Sequence, residues 1–163
     1  MINGTEYNKK QKAYIEQIIR EYADIIYRLA YQYTGNFSDA QDVLQEVCLA
    51  LVISDAPIDD KEHLKAWLCR VSINKCKNLY KRKKIIQWQE LKEDTAVYES
   101  EIPYLKDELF KLPPKYRTVL YLHYYEEYSI KEISEILQVN INTVGARLRR
   151  GREKLKILLT EGE

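Results

Sequence analysis

The sequence is short of turn formers. Five glycines and four prolines are spread over 163 residues, too few for a chain of many strands joined by tight turns. Histidine is scarcer still, with only His63 and His123. There is no glycine-rich phosphate loop and no nucleophile motif, so catalysis has no visible machinery. No catalytic residue, cofactor or metal is expected. The three cysteines, Cys48, Cys69 and Cys76, are odd in number and lack CxxC spacing, which suits a reducing cytoplasm better than a disulfide framework. His63, Cys69 and Cys76 match no common zinc spacing. The two later cysteines read as small buried hydrophobes on a helix. No apolar run is long enough to span a membrane, and the N-terminus has no apolar signal-peptide core.

Hydrophobic residues make up 45% of the chain and charged residues 31%, a balance that supports one ordinary domain or two small ones. The net charge of +1 conceals an asymmetry. Residues 65–84 carry +8 and residues 142–156 carry +5, so the remainder carries −12. Two basic runs on an acidic background suggest a polyanion gripped at two places.

Spacings of three and four dominate. Ile15, Ile18, Ile19, Tyr22, Ile25, Ile26, Leu29 and Tyr33 mark a first helix, with Gly35 at its C-cap. Ser38 and Gln41 form a candidate capping box for a second helix, whose apolar stripe is Ala40, Val43, Leu44, Val47, Cys48 and Leu51. "SDAPIDD" is a loop. A third helix begins near Glu62 and ends in "KRKK". The stretch 87–103 holds five acids against one base between Glu90 and Glu101, which reads as a linker. A short helix follows, stopped by "LPP", and Pro114 suits the first turn of the next. No segment of useful length has strand periodicity. The expected fold is all-α: one helical domain over 1–86, an acidic linker over 87–103, and a second helical domain over 104–163.

The stretch "SIKEISEILQVNINTVGARLRRGREKLK" carries the most specific pattern. Ser129 and Glu132 form a capping box. Ile130, Ile133, Ile136 and Leu137 give a core face, "QVN" gives a hinge, and Asn140 is a good N-cap. Val144, Leu148 and Leu155 then face inward. Asn142, Gly145, Ala146, Arg149 and Arg152 face out. This is the pattern of a helix-turn-helix, whose second helix enters the DNA major groove.

From "LPPKYRTVL" onward the sequence resembles region four of bacterial sigma factors, which recognises the minus-thirty-five promoter element. "SDAQDVLQEVCLALV" is similar to the region-two helix that docks on core RNA polymerase. "AWLCRVSINKCKNLYKRKK" is similar to the following helix, which reads and melts the minus-ten element. The order of these motifs resembles the two-domain extracytoplasmic-function group. The resemblance implies core polymerase as partner, through its β′ clamp helices and β flap, together with promoter DNA and a cognate anti-sigma factor, often membrane-bound. It assigns polymerase binding to Asp39, Asp42, Gln45 and Glu46. It assigns minus-ten contacts to Ile58, Arg70, Val71, Asn74, Lys77 and Arg82, with Asn74 holding a flipped base in a pocket lined by Ile58 and Val71. Lys75 and the basic cluster at 81–84 would hold phosphates. It assigns minus-thirty-five contacts to Asn142, Thr143, Ala146, Arg147, Arg149 and Arg150. Trp67, by its spacing from Leu64 and Val71, reads as core rather than as a stacking platform. The alternative is a helix-turn-helix regulator that acts without core polymerase.

Overall fold

The computed structural model describes residues 4–54, 56–87 and 105–162. The described residues form seven α-helices: α1 (Gly4–Thr34), α2 (Phe37–Ile53), α3 (Lys61–Gln87), α4 (Leu105–Lys111), α5 (Pro114–Leu120), α6 (Ile130–Leu137) and α7 (Ile141–Glu161). A π-helical turn, Tyr121–Tyr125, extends α5. No strand occurs among the described residues. Of the expected linker, only Gln87 is described, as the last residue of α3; 88–103 lie outside the described residues.

The N-terminal unit is a three-helix bundle. Ile18, Ile26, Ala30, Val43, Val47, Leu64, Leu68 and Cys76 are buried together. The chain turns between α1 and α2 at Gly35, whose φ of +66° lies in the left-handed region, where a residue without Cβ pays no steric penalty. Asn36, not Ser38, caps α2. It is extended, and its Oδ1 accepts from the Asp39 amide at 3.0 Å. The left-handed turn at Gly35 brings the chain back two residues sooner than the Ser38–Gln41 pair suggests. Asp60 begins α3, accepting from the Glu62 and His63 amides.

In the C-terminal unit the expected caps form. Ser129 Oγ accepts from the Glu132 amide and the Glu132 carboxylate accepts from the Ser129 amide. Gln138 is left-handed at the end of α6 (φ +55°), and Asn140 caps α7 through the Asn142 amide at 2.8 Å. Val144 and Leu148 are buried, and Val139 packs onto the same cluster. Gly151 is the glycine that packing requires. A Cβ there would meet Leu120 Cδ1 at 3.2 Å and Tyr116 Cβ at 3.4 Å, so its absence lets α7 lie close on α5.

The two units are packed on each other. Leu29 of α1 and Cys69 and Ile73 of α3 belong to the same buried cluster as Tyr116, Val119, Leu122, Ile133 and Ile136. One core therefore crosses the boundary that the sequence drew between domains.

Candidate polymerase and promoter interface

On α2, the four residues assigned to polymerase binding divide in two. Asp39 is nearly buried and pairs with Lys83. Glu46 is shared by Lys75 and Arg82, each at 3.5 Å. Asp42 and Gln45 point outward and are exposed. The acidic face thus already has basic partners in its own chain, supplied by α3. Sequence spacing within one helix could not show this, because it reports neighbours along the helix and not across the bundle. Further along the outward side, Leu49, Val52 and Ile53 are 58%, 57% and 75% exposed. Leu49 lies four residues after Gln45 and seven after Asp42, so these residues share a face. The apolar part of this surface was missed because Leu49, Val52 and Ile53, which fall outside the stripe Ala40, Val43, Leu44, Val47, Cys48 and Leu51, were given no role. The excess of apolar residues over what one stripe can bury was the available signal.

Val71 and Trp67 of α3, and Ile58 and Ala56 of the loop before it, pack against the N-terminal core cluster. Trp67 is partly buried, in keeping with a packing role. Asn74 is exposed, one turn beyond Val71. The loop carrying Ile58 is tied to α1, since the Tyr14 hydroxyl donates to the Ile58 carbonyl at 2.8 Å. Arg70 is half-buried, and its Nε is enclosed without a hydrogen-bond partner. Lys77 is half-buried too. Burial, and then the charges of Arg147 and Lys81, depress its ammonium below the ordinary lysine value. The six residues assigned to minus-ten contacts therefore lie along one helix and the loop before it. Arg82 is committed to Glu46.

On α7, Asn142, Arg149 and Arg150 are exposed, and Thr143, Ala146 and Arg147 are half-buried. A Cβ added to Gly145 would meet nothing within 4 Å. The backbone at Gly145 is open on that side, which leaves room for a close surface. Arg149 and Arg150 form no ion pair among the described residues, whereas Arg152 donates to the Tyr124 hydroxyl at 2.8 Å.

Two family models match the chain: sigma-70 region 2 over residues 18–85 and sigma-70 region 4 over residues 104–155. The chain is 31% identical to the ECF RNA polymerase sigma factor SigW of Bacillus subtilis, over 85% of each chain. The chain belongs to the ECF sigma factor family. A second Bacillus subtilis sigma factor, SigV, is 29% identical over 94% of this chain and 96% of its own. Among solved structures, the sigma factor RpoE of Bartonella quintana, in complex with the anti-sigma factor NepR, has a TM-score of 0.73 at 21% identity and covers 89% of this chain and 96% of that one. CnrH in complex with the cytosolic domain of CnrY has a TM-score of 0.63 at 23% identity, covering 94% and 91%. Those two likenesses concern the fold. As an ECF sigma factor, the chain belongs with proteins that direct RNA polymerase to promoters; its relatives are regulatory proteins rather than enzymes. Among the described residues no helix is long and apolar enough to cross a membrane, and no cluster of His, Cys, Asp and Glu could hold a metal.

Proposed function

We propose that this ECF sigma factor binds core RNA polymerase through the outward face of α2, captures a flipped minus-ten base beside Asn74, and reads the minus-thirty-five element with α7. It does so in the cytoplasm, where the promoter is. The observation that carries the reading is the pair of positive helices. One ends a complete, doubly capped helix-turn-helix, and the other carries exposed Asn74 above the partly buried Ile58 and Val71. Duplex reading needs base-edge donors on the N-terminal half of the second helix, and Asn142, Thr143, Arg147, Arg149 and Arg150 are there, with Ala146 offering an apolar contact to a thymine methyl. Melting needs a pocket for an unstacked base and cations along the strand. Asn74 has the amide to bond a base edge, and Arg70, Lys77 and Arg82 supply positive charge.

On α2, Asp42 and Gln45 border the exposed Leu49, Val52 and Ile53. An apolar centre with a charged rim is the make-up of a protein interface. The partner is core polymerase, through its β′ clamp helices, with the β flap engaging the C-terminal unit. A cognate anti-sigma factor would compete for these surfaces.

Run-off transcription with core polymerase tests the reading. Core polymerase plus this chain should start from a specific promoter, which neither does alone. Asn74→Ala should keep polymerase affinity yet lower permanganate reactivity of promoter thymines by about tenfold, the loss of one base contact of about 1–3 kcal/mol. Duplex promoter binding without polymerase, and no promoter-specific transcript when the chain is added to core polymerase, would instead make the chain a stand-alone regulator.

A further inference from the structure

The base pocket proposed above has one wall that is not helical. Ile58 sits in the loop before α3, and its side chain packs on the N-terminal core together with Val71 and Trp67. A loop wall keeps its place only if its backbone is held, because a connecting segment otherwise opens more readily than the helices it joins. The far end of this loop is secured by its own sequence. Asp60 caps α3, its Oδ1 accepting from the Glu62 and His63 amides at 3.1 and 3.2 Å, and its Oδ2 lies 2.7 Å from His63 Nδ1. The Ile58 amide stays within the loop and donates to the Ala56 carbonyl at 2.8 Å. Among the described residues, no backbone amide donates to the Ile58 carbonyl.

Its partner comes from α1. The Tyr14 hydroxyl donates to the Ile58 carbonyl at 2.8 Å, across 44 residues of sequence. The phase of α1 puts Tyr14 there. Ile15, Ile18, Ile19 and Tyr22 pack into the N-terminal core, and Tyr14, four residues before Ile18, lies at the edge of that stripe. Tyr14 is 41% exposed. A tyrosine suits such an edge, because its apolar body covers the margin of the core and its polar tip reaches outward. An ion pair also joins α1 to the start of α3. Lys61 Nζ lies 3.8 Å from Glu21 Oε1, with side chains 82% and 45% exposed. Solvent screens a pair so exposed, so it fixes little. Tyr14 is the specific tie.

This hydrogen bond adds little to stability. An accessible carbonyl that loses it finds water instead. Its effect is geometric. It fastens one point of the loop backbone to a helix, and that point carries the side chain of the wall. Asn74 stands exposed one turn beyond Val71. A base leaving the duplex binds better to a wall already in place, since ordering the wall on arrival would subtract from the binding.

We propose that Tyr14 is a positioning residue of the minus-ten pocket: through the Ile58 carbonyl it holds the apolar wall against which the flipped base is received. Its role there rests on the capture of a base beside Asn74, as proposed above. A residue of the first helix, with no motif of its own, thereby joins the melting machinery.

Strand affinity of the holoenzyme tests this. The probe is a premelted minus-ten strand, intact or with an abasic site at each position in turn. The captured base is the one whose removal weakens the parent at least about fivefold, the lower end for one base contact, and weakens Asn74→Ala much less. Tyr14→Phe removes the hydroxyl and keeps the ring. It should bind the intact strand about two- to tenfold more weakly, the range of one hydrogen bond. It should bind the strand abasic at the captured position as well as the parent does. Affinity for core polymerase and circular dichroism should be unchanged. In the free chain, hydrogen exchange over residues 56–60 should quicken by a similar factor. Unchanged exchange overturns the proposal, because the loop then needs no tie. An equal loss on intact and abasic strands also overturns it, since Tyr14 then touches the strand itself or acts on the whole fold. If Tyr14→Phe binds the intact strand like the parent while Asn74→Ala and the abasic site keep their effects, the pocket stands and Tyr14 has no part in it. If neither Asn74→Ala nor any abasic site has an effect, no base is captured and the proposal falls with that reading.

Discussion

Helices α3 and α7 are both strongly basic in sequence, yet the fold treats them differently. Along α3, Lys75 and Arg82 are held by Glu46, Lys83 by Asp39 and Lys65 by Glu126. Along α7, Arg149 and Arg150 are exposed with no carboxylate partner among the described residues. The difference follows from what each helix is packed against. The acids of α2 line α3, whereas α7 packs its apolar face on α5 and α6 and leaves Arg149 and Arg150 to solvent. A count of charge along the chain gives α3 the larger surplus. A count across contacts gives α7 the freer one. The helix proposed to meet duplex DNA presents its cations ready-made, and the helix proposed to act in melting keeps several of its own in ion pairs.

The comparison depends first on α7 being anchored. Leu148 is 1% exposed and packs in the cluster shared by both units. Leu148→Ala should lower the unfolding free energy by about 2–5 kcal/mol, read by urea unfolding. Loss of under about 1 kcal/mol would mean that α7 is not seated as described.

A sharper test sets Arg149 against Arg150, which are adjacent and so about 100° apart around the helix. Arg149 lies four residues after Gly145, on the side where the backbone is open. Arg149→Ala should cost about 1–3 kcal/mol and relax one promoter position, whereas Arg150→Ala should weaken all sequences alike and lower the salt slope by about one. Holoenzyme binding to a panel of minus-thirty-five variants at several salt concentrations separates the two. The reverse pattern would place α7 in a rotated register.

Much of this fold was legible in sequence, and the parts that were not share a cause. The helix-turn-helix could be read because its signals are local. Ser129 and Glu132 are three residues apart, Asn140 caps two residues on, and Val144 and Leu148 repeat at helical spacing. The Ser38–Gln41 box was a local signal that lost to another, Asn36 behind a left-handed Gly35. What could not be read was non-local. Nothing around Arg117 in sequence points to the carbonyls of residues 32 and 33, which accept from its guanidinium. Nothing around Glu46 points to Lys75 and Arg82. For the candidate site, residue types on α7 could be assigned by helical phase, while the state of the acids on α2 needed the packing of α2 on α3.

The glycines of α7 test the same helix at smaller scale. Gly145 faces open space and Gly151 faces Leu120 and Tyr116. Gly145→Ala should stabilise the chain by up to about 1 kcal/mol through helix propensity while weakening promoter binding. In Gly151→Ala the Leu120 contact at 3.2 Å opposes that gain. Thermal unfolding of the two variants should therefore rank Gly145→Ala above Gly151→Ala. Equal stabilisation would show that the α5–α7 contact yields freely.

The smallest expected effect on stability bears most directly on the contrast between α3 and α7. Glu46→Gln removes the carboxylate shared by Lys75 and Arg82 and keeps the side chain's size. The Glu46 side chain is 40% exposed and that of Arg82 61%, so solvent screens these pairs. Stability should fall by under about 1 kcal/mol. The two cations it releases then become available to a single strand. Each added phosphate contact steepens the salt dependence of single-strand affinity by about 0.7, so two should steepen it by about 1.4. The measurement is the affinity of the holoenzyme for a premelted minus-ten strand across a salt series, with circular dichroism to show the helices intact. A steeper slope at unchanged helicity would mean that Glu46 holds α3's cations in reserve and that α3 and α7 differ only in how their charge is masked. An unchanged slope would mean that Lys75 and Arg82 never reach the strand. The positive charge of α3 would then be structural where that of α7 is functional.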